Sequence, residues 1–318
     1  MTHLHRRWFT AAVIVLWLAT MTWLVKEKVV PHLLIGDRPS NLDILRAQRK
    51  RPVGWRISID KHRLGWAMTE AALLPGNLTE IHGRVHFDRL PLDKMMPDWI
   101  QAFVTLAGRP SELLQIGSLD AFSTLTVDAL GNLLRLDSSV QAQPFGDAFA
   151  VRGVVDAGKM QLAISGGGRA FPYEIPMPPK ALLMDLLSPQ SELPGLKDGQ
   201  EWTVPVYNPL SIAVTKTPVE IIFVTVEGTE QKIWGGTPVD TWRVVYRSEP
   251  KGQASGDSAI RGISWVRFNG TVIQQQVRMS GCTIDFVRLT RTEAAKLLAT
   301  LREQWWTPDA SPKKYRHD

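Results

Sequence analysis

Apolar and polar residues alternate along most of the chain beyond residue 52. The first such stretch is Trp55-Arg56-Ile57-Ser58-Ile59, and a period of two residues predicts a strand with one buried face. The same alternation recurs at short intervals, at residues 80–87, 123–127, 133–140, 148–155, 160–165, 202–207, 219–226, 241–247, 263–268, 271–279 and 284–289. So many closely spaced strands are not typical of an α/β fold, and they predict a mainly β protein.

The turns between these strands favour antiparallel meanders, because a short connection can join only antiparallel neighbours. Asn269-Gly270 lies between two apolar runs and predicts a hairpin, since both residues tolerate positive φ. Asp128–Asn132, Asp156–Lys159 and Gly235-Gly236 are weaker signals of the same kind. The sheet is therefore expected to grow by successive hairpins.

Residues 8–25 form an uncharged run, WFTAAVIVLWLATMTWLV. Its length approaches the roughly 20 residues that an α-helix needs to span a bilayer. Arg6 and Arg7 precede the run, and Trp8 and Trp23 lie near its two ends, as at membrane interfaces. The run is predicted to be an uncleaved signal anchor, and a cleavable signal peptide is the alternative.

The segment ahead of this run, residues 1–7, is too short to form a domain. Export of the long C-terminal part is therefore expected, with residues 1–7 in the cytoplasm and the bulk of the chain in the periplasm. The location that follows is the inner membrane of a bacterium, with a single pass. The basic stretch Arg46–Arg51 favours the inverse topology, so the orientation stays open.

Two further stretches, Pro97–Ala107 and Thr292–Gln304, carry apolar residues at helical spacing. Thr290 and Glu293 predict a capping box ahead of the second, because each side chain can bind the other residue's backbone N–H. The expected fold class is mainly β. It comprises an N-terminal transmembrane helix, then curved antiparallel sheets or a half-barrel with one or two packed helices.

Composition divides the chain into successive parts. Glycines at 166–168 and several prolines before Gly195 indicate a linker between two strand-rich stretches. Whether these stretches form one domain or two stays open. The predicted parts are a cytoplasmic N-terminus at 1–7, an anchor at 8–25, a tether at 26–52, an N-terminal β-rich lobe at 53–165, a linker at 166–200, a C-terminal β-meander lobe with a terminal helix at 201–306 and a disordered tail at 307–318.

The net charge of +6 comes from 37 basic and 31 acidic residues. Much of the excess lies in Arg46–Arg51 and Lys313–Arg316, outside the strand-rich stretches. A nucleic-acid-binding domain carries its basic residues on the fold itself, so nucleic acid is not expected as a partner. The one cysteine, Cys282, excludes an intrachain disulfide and a multi-cysteine zinc site.

Catalytic, cofactor and metal-binding motifs are not found. His82 and His86 lie on a predicted strand, where four residues span about 13 Å, too far for one shared metal ion. Gly166–Arg169 lacks the lysine and hydroxyl that follow a phosphate-binding loop. Neither Ser165 nor Ser188 lies in a nucleophile elbow. Carboxylates that could serve a glycan-acting enzyme are present by residue type only, at Asp128, Asp137, Asp156, Glu220 and Glu227.

Tryptophan is the most unusual feature of the composition, with 12 tryptophans against 4 tyrosines. Several lie in or beside predicted strands, where an indole ring either fills the core or lines a cavity for an apolar ligand. The candidate ligand-binding residues are Trp202, Trp234, Trp242 and Trp265.

The C-terminal part resembles a group of bacterial envelope proteins of planctomycete type. The segments that carry the resemblance are LKDGQEWTV (196–204), VEIIFVTVEG (219–228), GGTPVDTWRVVYR (235–247), ISWVRFNGTVIQQQVRM (263–279) and FVRLTRTEA (286–294). They are similar to periplasmic half-barrel families of the lipoprotein-carrier type. The resemblance implies a half-barrel fold, an envelope location and an apolar ligand on the concave side of the sheet, and it transfers no catalytic residue.

These observations predict a non-catalytic envelope protein that binds a lipid or another hydrophobic ligand near the membrane, without a cofactor. Its partners would be the membrane, through residues 8–25, and a lipid or an envelope protein. A structural or scaffolding component of an envelope assembly is the alternative. A glycan-acting enzyme is the third possibility.

Overall fold

The computed structural model of the protein describes the strand-rich part of the chain and its terminal helix. The described residues are 17, 20, 21, 23, 43, 44, 52–59, 62–88, 117–143, 146–166, 168–176, 189–207, 219–250, 259–279 and 282–305. The predicted helix Pro97–Ala107, both basic clusters, the tail and most of the predicted anchor and tether lie outside them. Among the described residues, no helix combines the length and the apolar character that crossing a membrane requires.

The described chain forms fourteen strands and a C-terminal helix. The strands are β1 Val53–Ile59, β2 His62–Leu74, β3 Leu78–Phe87, β4 Leu119–Val127, β5 Leu133–Ala142, β6 Gly146–Asp156, β7 Lys159–Gly166, β8 Arg169–Pro176, β9 Glu201–Tyr207, β10 Val219–Trp234, β11 Thr237–Arg247, β12 Ile260–Arg267, β13 Val272–Met279 and β14 Cys282–Arg288. The helix, α1, is Arg291–Trp305.

All fourteen strands belong to one curved antiparallel sheet, with the order β8-β7-β6-β5-β4-β3-β2-β1-β14-β13-β12-β11-β10-β9. Strands β1 to β8 form one meander and β9 to β14 form another. The two meanders join where β1 pairs with β14, for example at Trp55 and Arg288. The mainly β, antiparallel prediction is confirmed. Both strand-rich stretches of the sequence therefore contribute to a single sheet.

Each stretch predicted as a strand from its alternation is observed as a strand. Two strands, β2 and β8, are not predicted. Strand β8 lies within the predicted linker 166–200, and Gly168, in the turn that leads into it, has a φ of 76°. Residues 169–176 pair with β7 along its whole length, so part of the range predicted as a linker is a strand of the sheet.

The predicted hairpin at Asn269-Gly270 is present, but only Gly270 has a positive φ, of 90°. The N–H of Gly270 donates to the carbonyl of Arg267, and the N–H of Arg267 donates to the carbonyl of Thr271. The turn is therefore a type I turn with glycine in the left-handed position, and Asn269 contributes its side-chain oxygen as acceptor for the N–H of Thr271.

One face of the sheet, here called the inner face, forms a single apolar cluster. Every strand contributes at least one buried side chain to it. Laid flat, fourteen strands at about 4.8 Å spacing would extend about 60 Å, and a flat face of that size could not bury itself. The sheet therefore curves until its inner-face side chains pack against one another.

Helix α1 packs on the opposite, outer face. Leu301, with Leu297 and Leu298, contacts Trp66 and Met68 of β2. The predicted capping box starts the helix, because the carboxylate of Glu293 accepts the N–H of Thr290 at 2.8 Å and the Thr290 hydroxyl accepts the N–H of Glu293.

Strands β8 and β9 lie at opposite edges of the sheet. Residues 189–200, here called the strap, lead into β9. The strap pairs with the start of β13, where Glu192 lies beside Thr271 and the N–H of Leu193 donates to the carbonyl of Gly270 at 2.7 Å. Leu193 is buried in the inner-face cluster, so the strap passes over one end of that face.

Prolines mark both edges of the sheet. Pro172 lies in β8 and Pro205 in β9, and neither strand has a second neighbour within the described part of the chain. Proline cannot donate a ladder hydrogen bond, so these positions suit edge strands. They also reduce pairing with a strand from another molecule.

Candidate functional site: the inner face of the sheet

Register determines which residues share the inner face, because paired residues point to the same side of an antiparallel sheet. Val244 of β11 pairs with Val226 of β10 and with Ser264 of β12. Ser264 in turn pairs with Gln275 of β13. Val226 and Val244 belong to the buried apolar cluster, so the Ser264 hydroxyl also faces the interior.

Three inner-face side chains have a buried polar atom without a hydrogen-bond partner among the described residues. They are Trp55 through Nε1, Tyr246 through Oη and Ser264 through Oγ. In each case this atom is the side chain's single polar atom. Leaving such a group unpaired costs about 1–3 kcal/mol, so three of them on one face call for an explanation.

The outer face also has buried atoms that lack a partner, but these belong to groups that are otherwise bound. Arg84 has an unpaired Nη1, yet its Nε and Nη2 donate to Asp120. Arg247 similarly donates through Nη2 to Glu227. The three inner-face atoms differ from these arginine nitrogens, because no other polar atom of the same side chain makes a hydrogen bond that would offset the free-energy cost of burial.

Tyr246 and Ser264 lie on neighbouring strands and form a hydroxyl pair. Tyr246 is paired with Gly262 of β12, and a Cβ at Gly262 would lie 4.0 Å from Cδ2 of Tyr246. That distance is an ordinary van der Waals contact, whereas the same Cβ would lie 2.8 Å from the carbonyl oxygen of Gln276 on β13. Burial raises the pKa of Tyr246 to about 12, and the Ser264 hydroxyl partly offsets that rise. The phenol is therefore neutral and able to donate at physiological pH.

At the end of this face covered by the strap lies a charged side chain, Arg288. Arg288 is paired with Trp55 and donates to the Glu192 carboxylate at 3.0 Å and to the Ser191 carbonyl at 2.7 Å. Its guanidinium carbon lies 6.0 Å from the centre of the Trp55 ring. Arg288 therefore fastens the strap beside Trp55.

The four candidate tryptophans do not form one site. Trp202 and Trp242 pack on the inner-face cluster, whereas Trp234 and Trp265 belong to a separate apolar cluster on the outer face. Trp242 lies at the rim, where its ring centre is 5.0 Å from that of Phe268. The two inner tryptophans are therefore the ones positioned to contact a ligand on the inner face.

The two outer tryptophans make structural hydrogen bonds. Trp234 donates through Nε1 to the carbonyl of Arg288 at 2.8 Å, and Trp265 donates to the Glu230 carboxylate at 2.7 Å. The ammonium of Lys232 lies 4.0 Å from the centre of the Trp265 ring. These contacts tie the β10–β11 hairpin to the end of β14 and to β12.

His82 and His86 lie on β3 and face outward. His86 contacts Asp120 at 3.1 Å and Asp88 at 3.3 Å, while its ring stacks on Trp66 with centres 5.5 Å apart. The hydrogen bond with Asp120 raises the pKa of His86 above its ordinary value, against the effect of burial. No cluster of three metal-ligating side chains occurs within the described ranges.

Carboxylates named as enzyme candidates are engaged in local contacts. Asp128 accepts the N–H groups of Leu130 and Asn132 within its own turn, the role expected of a turn aspartate. The others for which contacts are observed form ion pairs, Asp137 with Arg135 and Arg152, Glu220 with Arg261, and Glu227 with Arg243 and Arg247.

The hydroxyl pair was not singled out by sequence reasoning. Its signal was nevertheless present, since Tyr246 and Ser264 occupy inward positions of alternating strands that otherwise hold apolar residues. A polar residue at an inward position interrupts the alternation of apolar and polar residues. Polar residues at inward positions therefore mark functional positions more often than polar residues at outward positions do.

No protein-family model matches this chain, and no curated protein matches it. Among solved structures, it is similar to a β-barrel-like protein of domain of unknown function DUF1849 from Brucella abortus, with a TM-score of 0.42 and 11% identity over 75% of this chain and 95% of that one. A DUF1089 family protein from Pseudomonas aeruginosa gives a TM-score of 0.32 and 17% identity, covering 65% and 87% of the two chains.

The hypothetical lipoprotein YmcC from Escherichia coli gives a TM-score of 0.25 and 12% identity, covering 80% of this chain and 98% of that one. With every TM-score below 0.5, these likenesses assign neither a family nor a ligand to this chain. None of the three proteins comes from a planctomycete, so the resemblance to planctomycete-type proteins has no support among them.

Proposed function

We propose that this protein binds an apolar ligand of the acyl-lipid class along the inner face of its sheet, without catalysis. The observation that carries the proposal is the continuous apolar cluster to which all fourteen strands contribute, in a sheet whose edge strands β8 and β9 do not pair with each other. Where the sheet widens, a hydrocarbon chain would bury its own apolar surface between these side chains, and that burial would provide the driving force.

The number of strands in the sheet favours an interior with space for a ligand. About eight strands close into a barrel that side chains alone can fill, and larger numbers enclose more space. A sheet of fourteen strands with unjoined edges can also widen by moving its edges apart, without breaking any ladder hydrogen bond. Entry of a ligand between the edges therefore costs little backbone hydrogen bonding.

Residues 8–25 supply the proposed location. As a signal anchor, this run would hold the sheet at the periplasmic surface of a bacterial inner membrane, where acyl lipids are the most abundant apolar molecules. The tether of residues 26–52 would allow the inner face to reach the bilayer surface. In this arrangement the ligand comes from the membrane.

The absence of catalysis is part of the proposal. The feature most similar to catalytic machinery is the pair of His86 and Asp120, and it lies on the outer face. Its carboxylate also binds Arg84, whose guanidinium carbon lies 5.4 Å from the centre of the Trp66 ring. These contacts hold β2, β3 and β4 together, which explains the pair without a reaction.

Site-specific photo-crosslinking of the full chain in membranes tests the proposal. The variant Trp242→p-benzoylphenylalanine places a reactive ketone on the inner face, and Phe223→p-benzoylphenylalanine places the same group on the outer face. Both positions hold aromatic residues of intermediate exposure. After irradiation, the chain is purified under denaturing conditions and peptide masses are measured.

Adducts with acyl-lipid masses are expected at position 242 and not at position 223. Equal lipid labelling at both positions would mean that the membrane environment, rather than the inner face, supplies the lipid, and it would overturn the proposal. Absence of lipid adducts at position 242 would also overturn it. Protein adducts at position 223 in place of lipid adducts would favour the scaffolding alternative.

A further inference from the structure

The hydroxyls of Tyr246 and Ser264 form a polar point on the largely apolar inner face. Each oxygen is buried, and each lacks a well-formed hydrogen bond to any residue of the described chain. A hydroxyl group can donate one hydrogen bond and accept two. Even where these two oxygens contact each other, the pair retains a free donor and free acceptor positions.

The immediate neighbours of this pair are uncharged, and they include Gln275 of β13, which pairs with Ser264 and whose side-chain oxygen accepts the N–H of Gln190. Tyr246 is flanked by Val224 on β10, and Ser264 is flanked by Val244 on β11. Both valines are buried in the inner-face cluster. An ionised group at this point would be desolvated without a counter-ion, at a large free-energy cost, whereas a neutral polar group would complete the unfilled hydrogen bonds.

We propose that Tyr246 and Ser264 together recognise a neutral hydrogen-bonding group, an alcohol or an ester carbonyl, on the otherwise apolar ligand. This inference rests on the proposed function and adds the chemical class of the ligand's polar group. The phenol supplies the donor, and the serine hydroxyl either donates or accepts. A ligand with one such group and a hydrocarbon body satisfies both the polar point and the apolar face.

The test uses membranes that contain the full chain with Trp242→p-benzoylphenylalanine as the reporter. Three alkyne-tagged probes of equal chain length are added separately, ω-alkynyl hexadecanol, its permanently charged sulfate ester and hexadecyne. After irradiation, the probe attached to the protein is quantified by conjugation of a fluorophore to the alkyne. The ratio of alcohol to hydrocarbon labelling is compared between variants, which cancels differences in membrane partitioning.

In the unaltered site, the alcohol is expected to label more strongly than the hydrocarbon or the sulfate ester. In Tyr246→Phe/Ser264→Ala, the ratio of alcohol to hydrocarbon labelling should fall by about tenfold, the effect of losing one or two hydrogen bonds. The single variant Tyr246→Phe keeps the aromatic ring and should lower the ratio by a smaller factor. Tyr173→Phe, a matched change at another tyrosine of the same face, should leave it unchanged.

Two failures are distinguishable. If all variants label with an unchanged ratio of alcohol to hydrocarbon, the recognition role of Tyr246 and Ser264 is wrong, while ligand binding on the inner face still stands. If no probe labels position 242 in any variant, ligand binding itself fails, and the inference fails with it.

Discussion

Arg288 and Glu192 form an ion pair of 3.0 Å between the end of β14 and the strap, and only 15% and 13% of the two side chains are exposed. The guanidinium also binds the carbonyls of Ser191 and Val272. A largely buried pair of this kind stabilises the fold little in total, but removal of one partner leaves the other charge desolvated. The strap therefore depends on Arg288.

Arg288→Met is expected to lower the free energy of unfolding by about 2–4 kcal/mol, because it removes the charge paired with Glu192 and the hydrogen bonds that Arg288 donates to two carbonyls. Chemical denaturation of the full chain measures the change. Glu174→Gln serves as control, since the ion pair of Glu174 with Lys159 is more than half exposed and solvent-exposed pairs contribute little to stability. Equal losses in the two variants would contradict the role of Arg288.

Gly270 provides a second test of strap packing. A Cβ at Gly270 would lie 2.7 Å from Cα of Pro194, and the residue has a φ of 90°. Gly270→Ala therefore combines backbone strain with a clash against the strap. Gly158→Ala adds a side chain at a φ of 76° with no atom within 4 Å, so it reports the backbone strain alone.

The loss in unfolding free energy for Gly270→Ala is expected to exceed that for Gly158→Ala by about 1–3 kcal/mol, the usual range for overpacking. Thermal or chemical denaturation gives the comparison. If the two variants lose the same stability, the strap does not pack against the β12–β13 turn as described.

Gly65 marks the closest backbone approach in the sheet. A Cβ at this position would lie 1.9 Å from the carbonyl oxygen of His86 on β3. Gly65→Ala is therefore expected to destabilise the protein by about 3 kcal/mol or more, because a backbone atom must move. At Gly117 the nearest atom would be 3.9 Å away, so Gly117→Ala should change stability by less than about 0.5 kcal/mol. A tolerated alanine at Gly65 would contradict the β2–β3 register.

The ion pair between His86 and Asp120 predicts a pH dependence of stability. The hydrogen bond with Asp120 raises the pKa of His86 above 6.5 in the folded state. For Asp120, burial acts to raise the pKa, but the hydrogen bonds from His86 and Arg84 hold it below 3.8. The stabilisation from His86 is therefore complete below pH 6.5 and disappears as the pH rises through the raised pKa. The stabilisation from Asp120 is present above pH 3.8 and disappears as the pH falls through the lowered pKa.

His86→Gln should consequently lower the melting temperature most at mildly acidic pH, and the difference from the unaltered protein should shrink towards pH 9. Melting curves of both proteins across this range provide the measurement. In an Asp120→Asn background, the melting-temperature difference caused by His86→Gln should depend much less on pH, because the main cause of the raised His86 pKa is absent. A difference that grows with pH would show that the sign of the linkage is wrong.

Alternation was sufficient to predict most of the sheet, because those strands have one buried and one more polar face. Strand β2 escaped prediction because both of its faces are covered. Trp66 and Met68 pack against α1, and Ala67 between them lies in the inner-face cluster. A strand buried on both sides lacks the alternation of apolar and polar residues that predicts a strand. Strand β8 escaped because Pro172 and Pro176 argue against a central strand, and it is an edge strand.

The candidate site was predicted less well than the fold. The four tryptophans were grouped by residue type, but the face that a side chain occupies depends on β-bulges in its strand. In β10 the register with β11 shifts between Val226 and Thr229, and Trp234 consequently lies on the outer face. The position of a bulge depends on how neighbouring strands pair, and a single sequence does not contain that information.

The most direct test of ligand binding is native mass spectrometry of the full chain released from membranes under mild activation. We expect a chain that retains one lipid-sized mass after activation has removed the lipids around the membrane segment. Denaturation should release that mass for identification as a molecule with a neutral hydrogen-bonding group. A chain that appears only at its own mass would contradict ligand binding on the inner face.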